Sequence, residues 1–200
     1  MATTLDLDQH SMVVAPLLLG ALLVSRGEAG TVAVRITEVE AYGGVGEDPA
    51  AHSFRGRTPR NAQMFEPAGR FYAYFTYGMH WCLNVVTGPG EAATAVLLRA
   101  GEVVQGRDLA AARRPRVRRD RDLARGPANL TSCLAVDGSA NGISVWSQGL
   151  RLVVRRPLPE QSIVTGPRVG ISAATDWPWR FWVRDDPSVS AYKPGRSRLA

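Results

Sequence analysis

The 200-residue chain has a single lysine, Lys193, among its 24 basic residues; the rest are arginine. Chemistry that runs through a buried amine therefore has almost no candidate. Lys193 lies in "AYKPGRSR", flanked by Pro and Gly, where neither desolvation nor fixed placement is expected. Two cysteines, Cys82 and Cys133, are no disulfide framework, and a reducing compartment is the default. The three histidines, His10, His52 and His80, fit no metal-ligand spacing, so no metal is expected. The apolar run "MVVAPLLLGALLV" is too short for a bilayer and is broken by Pro16 and Gly20. It follows acidic residues, not a basic segment, which argues against a secretion signal. There is no internal repeat and no low-complexity linker.

What the chain has is apolar mass and positive charge. A hydrophobic content of 45% over this length is enough for one domain, residues 1–200, with a full core. A net charge of +6 and an isoelectric point near 10.0 favour an anionic partner, nucleic acid before a membrane surface. Arginine meets phosphate through a planar fork and also stacks on bases. A codon bias towards Arg, Ala, Gly and Pro would explain the choice of arginine, but poorly the net charge.

Pro16 and Gly20 bracket a short helix over about 13–19. "ALLVS" starts a strand, "RGEAG" reads as a turn, and "TVAVRITEVEAYGG" is a second strand. Read as strict alternation, one face of that strand runs Val32, Val34, Ile36, Glu38, Glu40, Tyr42, an apolar face that turns acidic as the strand ends. Residues 43–70 are loop-like. "FYAYFTYGMHWCLNVV" reads as a hairpin, with Tyr72 and Tyr74 on one face, Tyr77 near the tip and Gly78 supplying the turn. "AATAVLLRAGE" is a buried strand ending at Arg99, and a helix follows over about 104–113. The basic segment 113–125, "RRPRVRRDRDLAR", is expected to be a flexible surface loop. Short strands are expected at "ISVWS", "LRLVVRR", "GPRVGIS" and "RFWVR", with a frayed tail over about 188–200 and a short flexible N-terminus. Strands outnumber helices, which predicts one α+β domain with a largely antiparallel sheet.

Glu40 is the sharpest candidate for chemistry: a carboxylate at the end of an apolar strand, two residues from an aromatic, can be desolvated and tuned. Glu38 is its rival, and a solvent-facing strand-end glutamate is the plain alternative. Arg99 could pair with Glu40 and hold it ionised. "AAHSFRGRTPRN" presents no nucleophile–base pair. It reads as a loop lining a pocket, with arginines such as Arg60 set to meet phosphates, as Arg116, Arg118 and Arg119 of the basic segment are.

Taken together, "RITEVEAYGGVGEDPAAHSFRGRTPRNAQMFEPAGRFYAYFTYGMHWCLNVV", "AVLLRAGE", "LARGPANL" and "PRVGIS" closely resemble the alkyladenine (3-methyladenine) DNA glycosylase family over about residues 12–185. The resemblance implies a mixed domain with a curved antiparallel sheet, flanking helices and a protruding hairpin. It implies excision of alkylated or deaminated purines from double-stranded DNA without metal or cofactor, by a monomer. By the same match, Glu40 is the general base and Arg99 helps hold its water. Tyr42, His52 and Tyr74 are walls of the base pocket, Asn84 disfavours the guanine 2-amino group, and Tyr77 fills the gap left by the flipped nucleotide. The chain departs from the family pattern at His80 and Trp81. A nucleoid-associated, cytoplasmic protein is implied for a bacterial source and a nuclear one for a eukaryote. The competing readings are an RNA-recognition module built on "GRFYAYFTYG", which lacks the expected glycine pattern and a second aromatic strand, and a DNA-binding subunit in which Glu40 is structural.

Overall fold

The computed structural model describes residues 5–76 and 78–195. Helix α1 (Ser11–Leu18) is capped by His10, whose Nδ1 accepts from the Met12 N–H at 3.2 Å. Strands β1 (Leu22–Gly27) and β2 (Gly30–Tyr42) follow as an antiparallel pair. The hairpin is β3 (Phe71–Thr76) and β4 (His80–Thr87), and β5 runs Thr94–Gln105. Then come α2 (Arg107–Arg113), the two-residue β6 (Ala124–Arg125) and α3 (Pro127–Leu134). Strands β7 (Leu150–Val153), β8 (Ile163–Gly166) and β9 (Arg180–Val183) complete the fold. The sheet order is β3-β4-β5-β2-β1-β7, all pairings antiparallel, with β6 on β5 and the β8–β9 pair joined to β2 through β9. This is the expected α+β fold with a large curled antiparallel sheet.

The main core fills one face of the sheet, with α1 and α3 packed against it. Strict alternation along β2 does not survive. Val32, Val34 and Ile36 point into the core, but so do Val39 and Ala41, because the pairing with β5 slips around Thr37. A matching slip on β5 falls at Arg99. A bulge exchanges the faces of a strand, so Glu38, Glu40 and Tyr42 lie opposite the apolar set rather than continuing it. Gly101 makes room for the slip: a Cβ there would stand 2.3 Å from Val34 Cγ1 and 2.4 Å from the Arg35 carbonyl oxygen.

Several expectations change. β5 runs past Arg99 to Gln105, so α2 begins at Arg107 rather than 104. "ISVWS" is no strand; Ser144 and Trp146 make only isolated bridges, to Arg70 and Arg151. The strand expected at "GPRVGIS" is β8, just ahead of it; Arg168 turns inward to an ion pair and Gly170 takes φ +72°, which breaks extension. "GPANL", read only as part of a motif, opens α3 with Pro127 in its first turn, where its missing N–H costs nothing. The basic segment folds into a turn (Asp120–Asp122) tied by Arg107–Asp120 and Arg119–Asp122 ion pairs. The tail is not frayed from 188: Ser188 is buried and Ser190 binds Glu38. At the other terminus, Leu5 and Leu7 pack into the core. Among the described residues no helix is long and apolar enough to cross a membrane. Tyr77 lies outside the described residues; Gly78 beside it takes φ +65°, as the turn requires.

Candidate active site

Four strands turn the face opposite the main core towards one cavity of about 460 Å³. Register places Tyr72 opposite Asn84, Asn84 opposite Leu97, and Leu97 opposite Glu40, so a single row crosses β3, β4, β5 and β2. Tyr42, Tyr74, Cys82 and Arg99 flank that row on the same face. The 43–61 loop contributes His52 and Arg60, and residues 169–172 close another side.

Beneath the cavity lie two carboxylates and two guanidiniums, all buried: Glu38, Glu40, Arg99 and Arg180. Arg99 Nε donates to Glu38 at 2.9 Å and its Nη1 to Glu40 Oε2 at 3.3 Å. Glu38 also accepts from Arg180 Nε at 2.7 Å, from the Ser190 hydroxyl at 2.8 Å and from the Ser190 N–H at 2.7 Å. Burial alone would raise the Glu38 carboxyl, but Arg99, Arg180 and Ser190 outweigh it and hold it below its usual value. Burial opposes the charge of Arg99, yet Glu40 and Glu38 overcome it and keep Arg99 a firm cation.

Glu40 is held differently. Its Oε2 accepts from the Tyr42 hydroxyl at 2.9 Å and from Arg99, and its Oε1 accepts from the Val169 N–H at 2.7 Å. A carboxylate oxygen takes about two donors, so Oε1 keeps one acceptor direction open. Glu38 has three donors on Oε1 and one on Oε2, so what separates the rivals is place: of Glu38's partners only Arg99 lines the cavity, whereas Tyr42, Arg99 and Val169, the partners of Glu40, all do. The Glu40 side chain has no exposed surface; Tyr42, Arg99 and Val169 form the cavity wall over it.

The aromatic walls are uncharged. Burial raises the Tyr42 and Tyr74 phenols well above their normal range, and burial pushes Tyr72 up to about 12. His52 stacks edge-on against Tyr74 with ring centroids 4.6 Å apart and shares a 3.0 Å hydrogen bond with the Tyr72 hydroxyl through Nδ1. Burial, then the charge of Arg60, lowers its pKa, so His52 is neutral at pH 7. Asn84 donates from Nδ2 to the Tyr72 carbonyl at 3.0 Å. Burial likewise raises the Cys82 thiol.

The structure thus brings together Glu40, Arg99, Tyr42, His52, Tyr74 and Asn84. Arg60 stands at the rim, where its Nη2 donates to the Phe75 carbonyl at 3.2 Å. Arg116, Arg118 and Arg119 are exposed and do not line the cavity. Sequence reasoning misses Tyr72 as a wall, the Arg180 and Ser190 partners of Glu38, and a wholly buried Arg168–Asp48 pair. Arg168 lies over the rings of Tyr42 and Trp179, 4.6 and 5.2 Å from their centroids. The one available signal is an arginine set among apolar residues, in "PRVGIS" and "WRFWV".

A deep aromatic cavity over a buried, partly unsatisfied carboxylate suits excision of a planar base from a sugar. Comparison with known proteins agrees. The family described as methylpurine-DNA glycosylase matches residues 6–187. A protein of Frankia casuarinae is 51% identical over 200 residues, covering 94% of this chain and 92% of the relative. One of Nocardia farcinica is 54% identical over 182 residues (88% and 84%), and one of Streptomyces avermitilis 48% over 184 (90% and 86%). All three carry the provisional name 3-methyladenine DNA glycosylase. The chain belongs to the methylpurine-DNA glycosylase family.

Proposed function

We propose that the chain removes 3-methyladenine and other alkylated or deaminated purines from duplex DNA, with Glu40 activating the water that hydrolyses the N-glycosidic bond. The observation that carries this reading is the open acceptor direction on Glu40 Oε1, directly behind the Tyr42, Arg99 and Val169 wall of a cavity otherwise lined by neutral aromatics. A base inside a duplex is out of reach, so the nucleotide must leave the stack. Tyr42, Tyr74 and His52 offer faces and edges on which an electron-poor or cationic purine stacks. Bond cleavage builds oxocarbenium character at the sugar, which one carboxylate both stabilises and relieves by taking a proton from water. Arg99 offsets the buried charge of Glu40 and holds its orientation. A cationic base leaves without acid assistance. For neutral bases no side chain of the wall is a ready acid, because His52 is neutral and the phenols and the Cys82 thiol are shifted upwards. To Asn84, on the cavity wall, we assign the edge of the base and the rejection of a 2-amino group. The strand order differs from the four-stranded βαββαβ sheet of an RNA-recognition module.

Incubation with duplexes carrying 3-methyladenine or hypoxanthine should release the free base and leave an uncut abasic strand. Borohydride added during turnover should trap no covalent complex, since an amine nucleophile has only Lys193 and the terminal amine as sources. No base release would leave a DNA-binding subunit; a trapped species would replace the hydrolytic mechanism.

The approach to DNA is assigned to the hairpin and the arginines. Tyr77 is proposed as the wedge that fills the vacated stack, and Arg60, Arg116, Arg118 and Arg119 as phosphate ligands. One set of binding isotherms separates the two roles. Tyr77→Ser should narrow the preference for damaged over intact duplex at an unchanged salt slope. Neutralising Arg116, Arg118 and Arg119 should flatten the slope by about 0.9 for each phosphate no longer neutralised, and weaken binding to both duplexes alike. An unaltered slope would mean that the segment is only a solvated loop.

A further inference from the structure

Arg168 is the largest fully buried side chain of the described residues, and nothing in the reaction above uses it. Its fork grips Asp48, with Nη2 donating to Oδ1 at 2.8 Å and Nη1 to Oδ2, while Nη1 also donates to the Ala41 carbonyl at 3.0 Å. Asp48 in turn accepts from the Gly43 N–H at 3.1 Å. The guanidinium lies over the rings of both Tyr42 and Trp179, and its Nε has no partner. The unpaired Nε argues against a role optimised for stability, because a buried orphan donor costs free energy. What the arrangement does provide is position. The fork joins the end of β2, the 43–61 loop and the 169–172 segment, and the next residue after Arg168 is Val169, whose N–H meets Glu40 Oε1 at 2.7 Å.

We propose that Arg168, gripped by Asp48 and stacked on Tyr42, is a positioning residue that fixes the Val169 N–H and the Tyr42 hydroxyl on opposite oxygens of Glu40. With both donors fixed, the carboxylate cannot turn, and the free acceptor direction of Oε1 keeps one orientation behind the cavity wall. Without the clamp, the 169–172 segment and the Tyr42 ring shift independently, and Glu40 samples orientations in which that direction points elsewhere. A bidentate, flat cation is required; the ammonium of lysine keeps the charge but neither the fork nor the stack.

The inference rests on Glu40 being the base, and the experiment separates the two. Single-turnover excision of hypoxanthine from a duplex would be measured with enzyme in excess for Arg168→Lys, Asp48→Asn and Glu40→Gln, with active-site titration and thermal melts in parallel. Arg168→Lys keeps a cation opposite Asp48 and is the variant expected to fold. For Arg168→Lys and Asp48→Asn the rate constant per active site should fall about 10- to 100-fold, the scale on which small misplacements act. The enzyme concentration giving half-maximal rate should stay within a factor of about 2 of the unmodified protein, within ordinary mutational scatter. If the variants lose melting temperature or active fraction but keep the unmodified rate constant per active site, the clamp is merely structural and the proposal falls. If Glu40→Gln itself excises at full rate, the base assignment falls, and the positioning role with it. A slow Arg168→Lys beside an inactive Glu40→Gln supports both.

Discussion

Glu40→Gln should release purine from damaged duplex about 100- to 10,000-fold more slowly than the unmodified protein, the span that a positioned general base commonly supplies. The loss should appear in the single-turnover rate constant and leave DNA affinity in place, because Glu40 has no exposed surface with which to meet DNA. The amide keeps the shape of the carboxylate but only one of its two acceptor oxygens and none of its charge. Three donors converge on Glu40, from Tyr42, Arg99 and Val169. A glutamine must set its own NH₂ against one side of that set, at a cost of about 1–3 kcal/mol in stability. Melting curves run beside the kinetics separate this modest loss from the chemical one. An unchanged excision rate in a folded variant would remove Glu40 from the mechanism. Glu38 is the poorer substitute, since its partners Arg180 and Ser190 lie away from the cavity wall.

Glu38→Ala should instead act first on the fold. Removing this carboxylate leaves Arg99 and Arg180 buried with one fewer counter-charge, a change that typically costs about 3–5 kcal/mol. For a chain of this size that corresponds to a melting temperature lower by on the order of 10 °C. Activity should fall as well, because Arg99 would be free to swing towards Glu40 or towards solvent. The pH dependence follows from the same hydrogen bonds and ion pairs. The Glu38 and Asp48 carboxyls are both held below their ordinary values in the folded protein. Their contribution to stability is therefore fully present above the unfolded-state pKa of about 4, and it is lost as pH falls through the lower folded values. Melts between pH 6 and pH 3 (roughly the window set by those ordinary values) should show a steeper acid loss for the unmodified protein than for Glu38→Ala. Equal acid slopes would mean that Glu38 is not ionised by its neighbours.

The site is more legible in the sequence than its scaffold. Alternation in "FYAYFTYG" puts Tyr72 and Tyr74 on one face, and the pairing of Arg99 with Glu40 can be guessed from two strand ends. The bulges at Thr37 and Arg99 cannot be guessed, because a slip in register depends on the partner strand and leaves no local mark. Alternation alone therefore assigns the acidic stretch of β2 to the wrong face of the sheet, even though it rightly places Glu40 and Tyr42 together. The partners of Ser190 and Arg168 are out of reach for a related reason: each lies more than a hundred residues away along the chain, and the apolar setting of Arg168 hints at burial without naming what it meets. Helix α3 escapes a sequence reading because "LARGPANL" is read only as part of a motif and the helix that Pro127 opens is only eight residues long.

The row that crosses four strands has a bearing on when the protein becomes competent during synthesis. Its members are supplied in the order Glu40, Tyr72, Asn84, Leu97, and Ser190 closes the ion cluster beneath them much later. Vectorial emergence of the chain yields the β3–β4 hairpin early, from local pairing, while Glu40 gains Arg99 only when β5 pairs across to β2, and Arg99 gains its full set of neighbours only when the 186–190 segment docks. Long-range antiparallel pairing of this kind forms slowly compared with a hairpin. A chain not yet paired between β5 and β2 therefore carries two carboxylates without their counter-charges, and the ion cluster beneath the cavity is completed with the last long-range pairing rather than with the sheet's first.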